Sequence, residues 1–198
     1  MSNFPKLILA STSPRRAEIL RNAGFDFEVF PSEIDESRSS REPAPVYVWR
    51  VAELKVRTAM SRLRANRQKD YSAIVAADTV VAIDGDVLGK PRSAEDARRM
   101  LRRLSGKWHE VFTGLAVLVR QSERTIVVVE KTRVEFGLLS DSEIDEYIRT
   151  DEPFDKAGAY AIQGQGGKFI LRVEGCYFNV MGLPLARLYA ILRELKLQ

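Results

Sequence analysis

Ser72-Ala-Ile-Val-Ala-Ala-Asp78-Thr-Val-Val-Ala-Ile83, followed by Asp84-Gly85 and then Val87-Leu88, reads as a long apolar strand entering a tight hairpin. One carboxylate, Asp78, interrupts it. A lone charge buried in such a strand costs several kcal/mol unless it is paired, hydrogen-bonded or metal-bound. Two readings are open at this point: a functional carboxylate within the strand, or a strand end whose side chain meets solvent. The continuation Thr79-Val-Val favours the first. Gly89-Lys90-Pro91 closes the hairpin, which is expected to carry Lys90 back beside Asp78.

Outward from this strand, strand and helix signals alternate, which predicts an α/β fold. Residues 6–11 (Lys-Leu-Ile-Leu-Ala-Ser) read as a buried strand. Ser13 then suits an N-cap, Pro14 the first helical position and Gly24 the stop. A second strand is expected near 27–31. Residues 44–65 form a long amphipathic pattern, with Val48, Ala52, Leu54, Ala59 and Leu63 among its apolar positions. Ser93-Ala-Glu-Asp opens a helix with a capping-box pattern, and Gly106 ends it. Strands follow near 110–120 and 124–136, then a capped helix at Ser140-Asp-Ser-Glu and a last helix over 184–197 starting at Pro184. No repeat, low-complexity tract or flexible linker breaks the chain, so one domain over 1–198, built of two intimately packed lobes, is expected.

Composition narrows the chemistry. Apolar residues make up 45% and charged residues 29%, ordinary values for a soluble globular chain, and no apolar run reaches membrane-spanning length. The opening Met1-Ser-Asn-Phe-Pro-Lys lacks a signal-peptide layout, which gives the expectation of a cytoplasmic protein. With one cysteine, Cys176, neither an intrachain disulfide nor a multi-cysteine metal site can form, and the residue reads as part of the core or near it. With one histidine, His109, multi-histidine zinc sites are excluded, and a serine–histidine triad would have to use that residue. Acid–base and metal chemistry therefore falls to carboxylates, lysines and arginines. A formal charge of +4 fits a polyanionic ligand without saying which. The run Arg98-Arg99-Met-Leu-Arg102-Arg103 flanks an apolar stripe and carries no interleaved aromatics, so a solvated helix face explains it more plainly than nucleic acid.

Several segments point to phosphate. Ser-Thr-Ser-Pro-Arg15-Arg16 lies between a strand and a helix start, where free N–H groups and the helix dipole attract anions. Two arginines in that first turn oppose the dipole unless an anion binds there; two exposed arginines are the equal alternative. Glu33-Ile-Asp35-Glu36 clusters acids, either as solvated loop or as hard-cation ligands. Lys55 carries no signal alone. Asp151-Glu-Pro-Phe-Asp155-Lys156-Ala-Gly-Ala-Tyr-Ala-Ile-Gln163-Gly has the small-residue density of a loop that lets a ligand approach the backbone. Tyr177-Phe-Asn-Val-Met-Gly-Leu-Pro-Leu leads into the last helix.

Taken in order, Ser-x-Ser-Pro-Arg-Arg, Ala-Asp-Thr-Val-Val, Gly-Lys-Pro, Asp-Lys-Ala-Gly-Ala-Tyr-x-Ile-Gln-Gly and Val-x-Gly-Leu-Pro-Leu resemble the Maf family of nucleoside triphosphate pyrophosphatases, also called septum-formation inhibitor proteins. The resemblance runs from Leu7 to about Leu192, and within the family it is to the branch acting on dTTP and UTP. It implies an elongated two-lobed α/β fold, with a central sheet flanked by helices and an active-site cleft between the lobes. It further implies frequent homodimers and a divalent metal, magnesium or manganese. Asp78 would be the general base, with Glu36, Lys55 and Lys90 as further active-site groups and Asp78 and Glu36 as metal ligands. Ser11 and Arg16 would contact the phosphates, and Arg15, Thr79 and Gln163 would decide which base is accepted. The competing class is a nucleotide- or nucleic-acid-binding regulator of cell division without catalysis.

Overall fold

The computed structural model describes residues 6–39, 41–67 and 70–195. The opening Met1–Pro5 and the last two positions of the helix expected over 184–197 lie outside these. Among the described residues seven strands form one mixed sheet, and helices flank it. The chain divides into two compact units, the first drawn from Met1–Asp78, Thr113–Glu130 and Gly182–Gln198, the second from Thr79–Phe112 and Lys131–Met181.

In the first unit, β1 (Leu7–Leu9) pairs in parallel with β2 (Phe27–Val29) and with the start of β3 (Ala73–Ile83), in the registers Leu7↔Phe27 and Leu7↔Ala73. Between β1 and β2 runs α1 (Pro14–Asn22), with Pro14 in its first turn and Gly24 in the left-handed region at φ +77° just past its end. α2 (Ala44–Ala65) buries Val48, Val51, Ala52, Val56, Ala59 and Leu63 at helical spacing. Leu54, expected on that apolar face, is 38% exposed, because its position in the heptad turns it away. Lys55 takes the place in the buried stripe instead. At Gly114, in β5 (Trp108–Val119), a Cβ would overlap the Val48 carbonyl, so the glycine lets α2 lie directly on the strand. The core of this unit joins Ile8, Ile74, Val56, Leu63 and Leu118, and α6 (Leu185–Glu194) closes the chain after Pro184.

In the second unit β3 ends in the turn Asp84-Gly85, at φ +52° and +82°, and β4 (Asp86–Leu88) returns antiparallel with Val81↔Leu88. Two positive φ values in a two-residue turn are what Asp-Gly supplies. At the start of α3 (Ala94–Leu104), Ser93 accepts from the Asp96 N–H at 3.2 Å, but the short Asp96 side chain reaches the Arg92 N–H rather than that of Ser93. The longer Glu143 completes a full capping box with Ser140 at α4 (Asp141–Ile148). β6 (Thr125–Phe136) pairs antiparallel with β7 (Ile170–Glu174), a short and mostly exposed strand for which the sequence reading names no element. α5 (Tyr177–Met181) follows. Leu101, Leu104, Phe136, Ile144, Tyr147 and Phe169 anchor this unit's core.

Candidate active site

The first unit brings Asp78, Lys55 and Glu36 together. Asp78 lies on β3 at 7% exposure and Lys55 on α2 at 5%. The Lys55 ammonium donates to Asp78 Oδ1 at 2.8 Å and pairs with Glu36 Oε1 at 2.8 Å. Asp78 is thus a buried strand carboxylate with a cationic partner, which decides the alternative left open above against a solvated strand end. Glu36 keeps a half-exposed side chain. Its loop is fastened by Tyr47, whose hydroxyl donates to the Glu36 carbonyl at 2.8 Å. Burial pushes that phenol well above its ordinary value, and Asp78 and Glu36 add to the rise. The other two acids of the cluster are engaged elsewhere: Asp35 accepts from the Ser37 N–H and hydroxyl, and Glu33 faces Arg62.

Arg16 is 92% buried at the start of α1, as its 8% exposure records. Its Nε donates to the Gly182 carbonyl at 2.8 Å and its Nη1 to Ser11 Oγ at 3.1 Å. Burial pulls its guanidinium below the ordinary value, Asp78 opposes that, Arg15 adds to it, and Glu36 opposes it again. These charges therefore share one electrostatic neighbourhood. Ser13, at the N-cap, makes no side-chain cap, so the helix start is not closed by its own residue.

Thr79, Lys90 and Gln163 belong to the second unit. Thr79 is half-buried on β3 directly after Asp78, and Lys90 is exposed two residues past β4. Lys90 lines an open depression of about 1060 Å³ with Arg92, Arg99, Arg103 and Lys107. Gln163 is exposed in the turn that the Gly164 N–H closes on the Ala161 carbonyl. The basic run of α3 is largely neutralised: Arg98 pairs with Glu95 and Asp145, Arg99 with Asp96, Arg102 with Asp141 and Arg103 with Asp86. That pattern is a solvated helix face.

His109 is core. Its Nε2 lies 2.8 Å from the Tyr160 hydroxyl, its ring packs edge-on against Phe136 and Tyr160, and burial pulls its pKa down to about 4. No serine reaches it among the described residues, so no triad uses it. Cys176 is half-buried, and its backbone exchanges hydrogen bonds with the Thr132 hydroxyl. The arrangement that sequence reading missed is around Glu152, which accepts from Tyr147 and from two backbone N–H groups of the glycine-rich segment. In the sequence Glu152 is only one of the acids, with Asp151 and Asp155, at the head of a loop rich in small residues.

Among the described residues no group of three or more His, Cys, Asp or Glu side chains is gathered to hold a metal ion. Asp78 and Glu36 are, however, two hard oxygen donors that meet at one cation, the Lys55 ammonium. Magnesium is commonly held by one or two carboxylates together with substrate phosphates, so this donor pair fits such an ion.

A relative from Caldicellulosiruptor bescii called "dTTP/UTP pyrophosphatase" is 46% identical over 190 residues, covering 96% of this chain and 94% of its own. Relatives of the same name from Carboxydothermus hydrogenoformans and Anaeromyxobacter dehalogenans strain 2CP-1 are 47% and 50% identical, each over 96% of this chain and 98% and 94% of their own. The fold is also that of "The structure of the Staphylococcus aureus Ham1 protein", with a TM-score of 0.55 at 15% identity over 96% of this chain and 98% of that one. The model for "Maf-like protein" matches residues 6–195, and with every described residue inside that match the chain belongs to the Maf-like family.

Proposed function

We propose that this chain is a nucleoside triphosphate pyrophosphatase that hydrolyses dTTP and UTP to the monophosphate and pyrophosphate. The observation that carries the reading is the buried Lys55 ammonium between Asp78 and Glu36, in a chain whose relatives bear the name of that activity. Asp78 orients the attacking water and takes its proton as the oxygen bonds to the α-phosphorus. The bond from that phosphorus to the bridging oxygen breaks, and pyrophosphate leaves with the bond's electrons. Lys55, donating to Asp78 Oδ1 at 2.8 Å, holds the carboxylate in place for that transfer. Lys55, Lys90 and Arg16 neutralise charge as it builds on the phosphates and the leaving group, and Ser11 helps to bind the substrate. Asp78 and Glu36 would hold magnesium or manganese, which supplies further charge neutralisation on the phosphates.

Arg15, Thr79 and Gln163 select the base. Uracil and thymine present two carbonyl acceptors flanking one N–H donor; the Gln163 amide can donate and accept, and Arg15 donates. Cytosine places a donor where uracil has an acceptor, and a mispaired buried polar group costs a factor of ten or more. A homodimer and a cytoplasmic location belong to the same reading. No described helix is long and apolar enough to cross a membrane. The test is pyrophosphate release from dTTP, UTP, dCTP and methylated GTP, with magnesium and with manganese. Higher kcat/KM for dTTP and UTP is expected. A preference for the guanine substrate would overturn the branch, and tight dTTP binding without pyrophosphate release would replace the enzyme by a non-catalytic regulator.

A further inference from the structure

The exposed Gln163 stands in a segment whose backbone is held on both sides by one polar cluster. Two residues before it, the Ala161 N–H donates to the Tyr147 hydroxyl at 3.1 Å. Two and three residues after it, the Gln165 and Gly166 N–H groups donate to Glu152 Oε2 and Oε1, each at 3.0 Å. Tyr147 closes the cluster by donating to Glu152 Oε1 at 2.7 Å. Four hydrogen bonds therefore converge on one carboxylate and one phenol, and Gln163 lies between the points they fix.

The glycines around Gln163 make this closure possible. A Cβ at Gly164 would overlap Glu152 Oε2, and one at Gly166 would stand 2.6 Å from the Tyr147 hydroxyl oxygen. A Cβ at Gly167 would stand 2.6 Å from the Ile162 carbonyl oxygen. The glycines are therefore needed for close approach, Gly164 to the carboxylate, Gly166 to the phenol and Gly167 to the backbone, a constraint distinct from turn conformation. Burial works against the charge of Glu152, yet the bonds from Tyr147, Gly166 and Gln165 hold its pKa below the usual carboxylate range. An ionised acceptor makes shorter, stronger bonds to N–H donors than a neutral one. Tyr147 itself is rooted in the core, 1% exposed, with its ring against Phe169. The cluster thus ties an exposed loop to the rigid part of its unit.

We propose that Glu152, with Tyr147, is a positioning residue for base selection: it holds the Ala161–Gly167 segment so that Gln163 presents its amide in one orientation. The proposal rests on the reading that Gln163 contacts the base. A side-chain amide discriminates uracil from cytosine only if its donor and acceptor ends are held in register, since a loop free to turn satisfies either pattern.

Glu152→Gln is the direct variant, because one oxygen acceptor becomes an NH₂ facing a backbone donor. The readout is the ratio of kcat/KM for dTTP to that for dCTP, in four proteins: the parent, Glu152→Gln, Gln163→Ala and the double variant. Loss of about tenfold in the ratio is expected for either single variant, and no further loss when Glu152→Gln is added to Gln163→Ala. A merely structural role would lower turnover on both nucleotides alike and leave the ratio unmoved. If Gln163→Ala leaves the ratio unchanged, the reading of Gln163 falls and the proposal with it. If Gln163→Ala lowers the ratio while Glu152→Gln does not, or lowers it equally in both backgrounds, only the role of Glu152 falls. Should Glu152→Gln not fold, Tyr147→Phe keeps the core ring, removes the bonds to Glu152 and Ala161, and carries the same expected and overturning results.

Discussion

Asp78 joins two demands that rarely coincide in one side chain: burial in a strand and a full negative charge. Lys55 reconciles them at 2.8 Å. Asp78→Asn keeps the shape and removes the charge, so pyrophosphate release from dTTP should fall at least about a hundredfold. Circular dichroism and the thermal midpoint should show a folded protein, and near-normal turnover would place the base elsewhere. A different residue governs stability toward acid. His109 is neutral in the folded protein because burial lowers its pKa from 6.5 to about 4. Above pH 6.5 neither state binds the extra proton, and the group contributes no pH dependence. As pH falls from 6.5 to 4 the unfolded chain takes up the proton first, so stability is lost across that window, by up to about 3 kcal/mol. Urea unfolding at pH 7 and pH 5 should show this loss, and His109→Phe should flatten it. An equal pH slope in the two proteins would show that His109 is not its source.

Among the elements, α2 does the most positioning. Its apolar stripe seats it on the sheet, and the single charged member of that stripe, Lys55, is thereby delivered to Asp78. The seat depends on Gly114, where any side chain meets the backbone of Val48 and, at 3.0 Å, the Trp49 nitrogen. Backbone cannot swing aside as a flexible side-chain end can. Gly114→Ala should therefore cost about 2 kcal/mol or more of unfolding free energy, read as a lower urea midpoint at unchanged m-value. It should also reduce activity, since α2 carries Lys55. A variant as stable as the parent would mean that α2 yields without cost.

For the molecule as a whole, the proposed metal is expected to serve function and not folding. The carboxylates of Asp78 and Glu36 already have Lys55 as their counter-charge, so the fold has no need of an ion there. Excess EDTA should abolish turnover, and added magnesium or manganese should restore it, while the thermal midpoint stays within about a degree. Full activity in EDTA would exclude a metal role, and unfolding in EDTA would make the ion structural.

The sequence by itself determined what near neighbours along the chain decide. Pro14, Ser93, Ser140 and Gly106 bound helices, and Asp84-Gly85 turns a hairpin, because fixed or permissive backbone angles and short-range caps act within a few residues. The span of α2 was legible because apolar residues recur at helical spacing over about six turns, with Lys55 the one charge among them. Tertiary structure decided the rest. Lys55 looked like any helix lysine until sheet pairing and helix packing brought it to a carboxylate 23 positions away. Arg16 finds its carbonyl at Gly182, 166 positions on, and no local pattern encodes a partner at that distance. β7 forms as an edge strand because β6 offers it a ladder, although its own residues are mostly exposed. Glu152 is one acid among many in the sequence. The fold makes it distinctive by aiming three donors at its two oxygens, and such convergence exists only once the chain is packed.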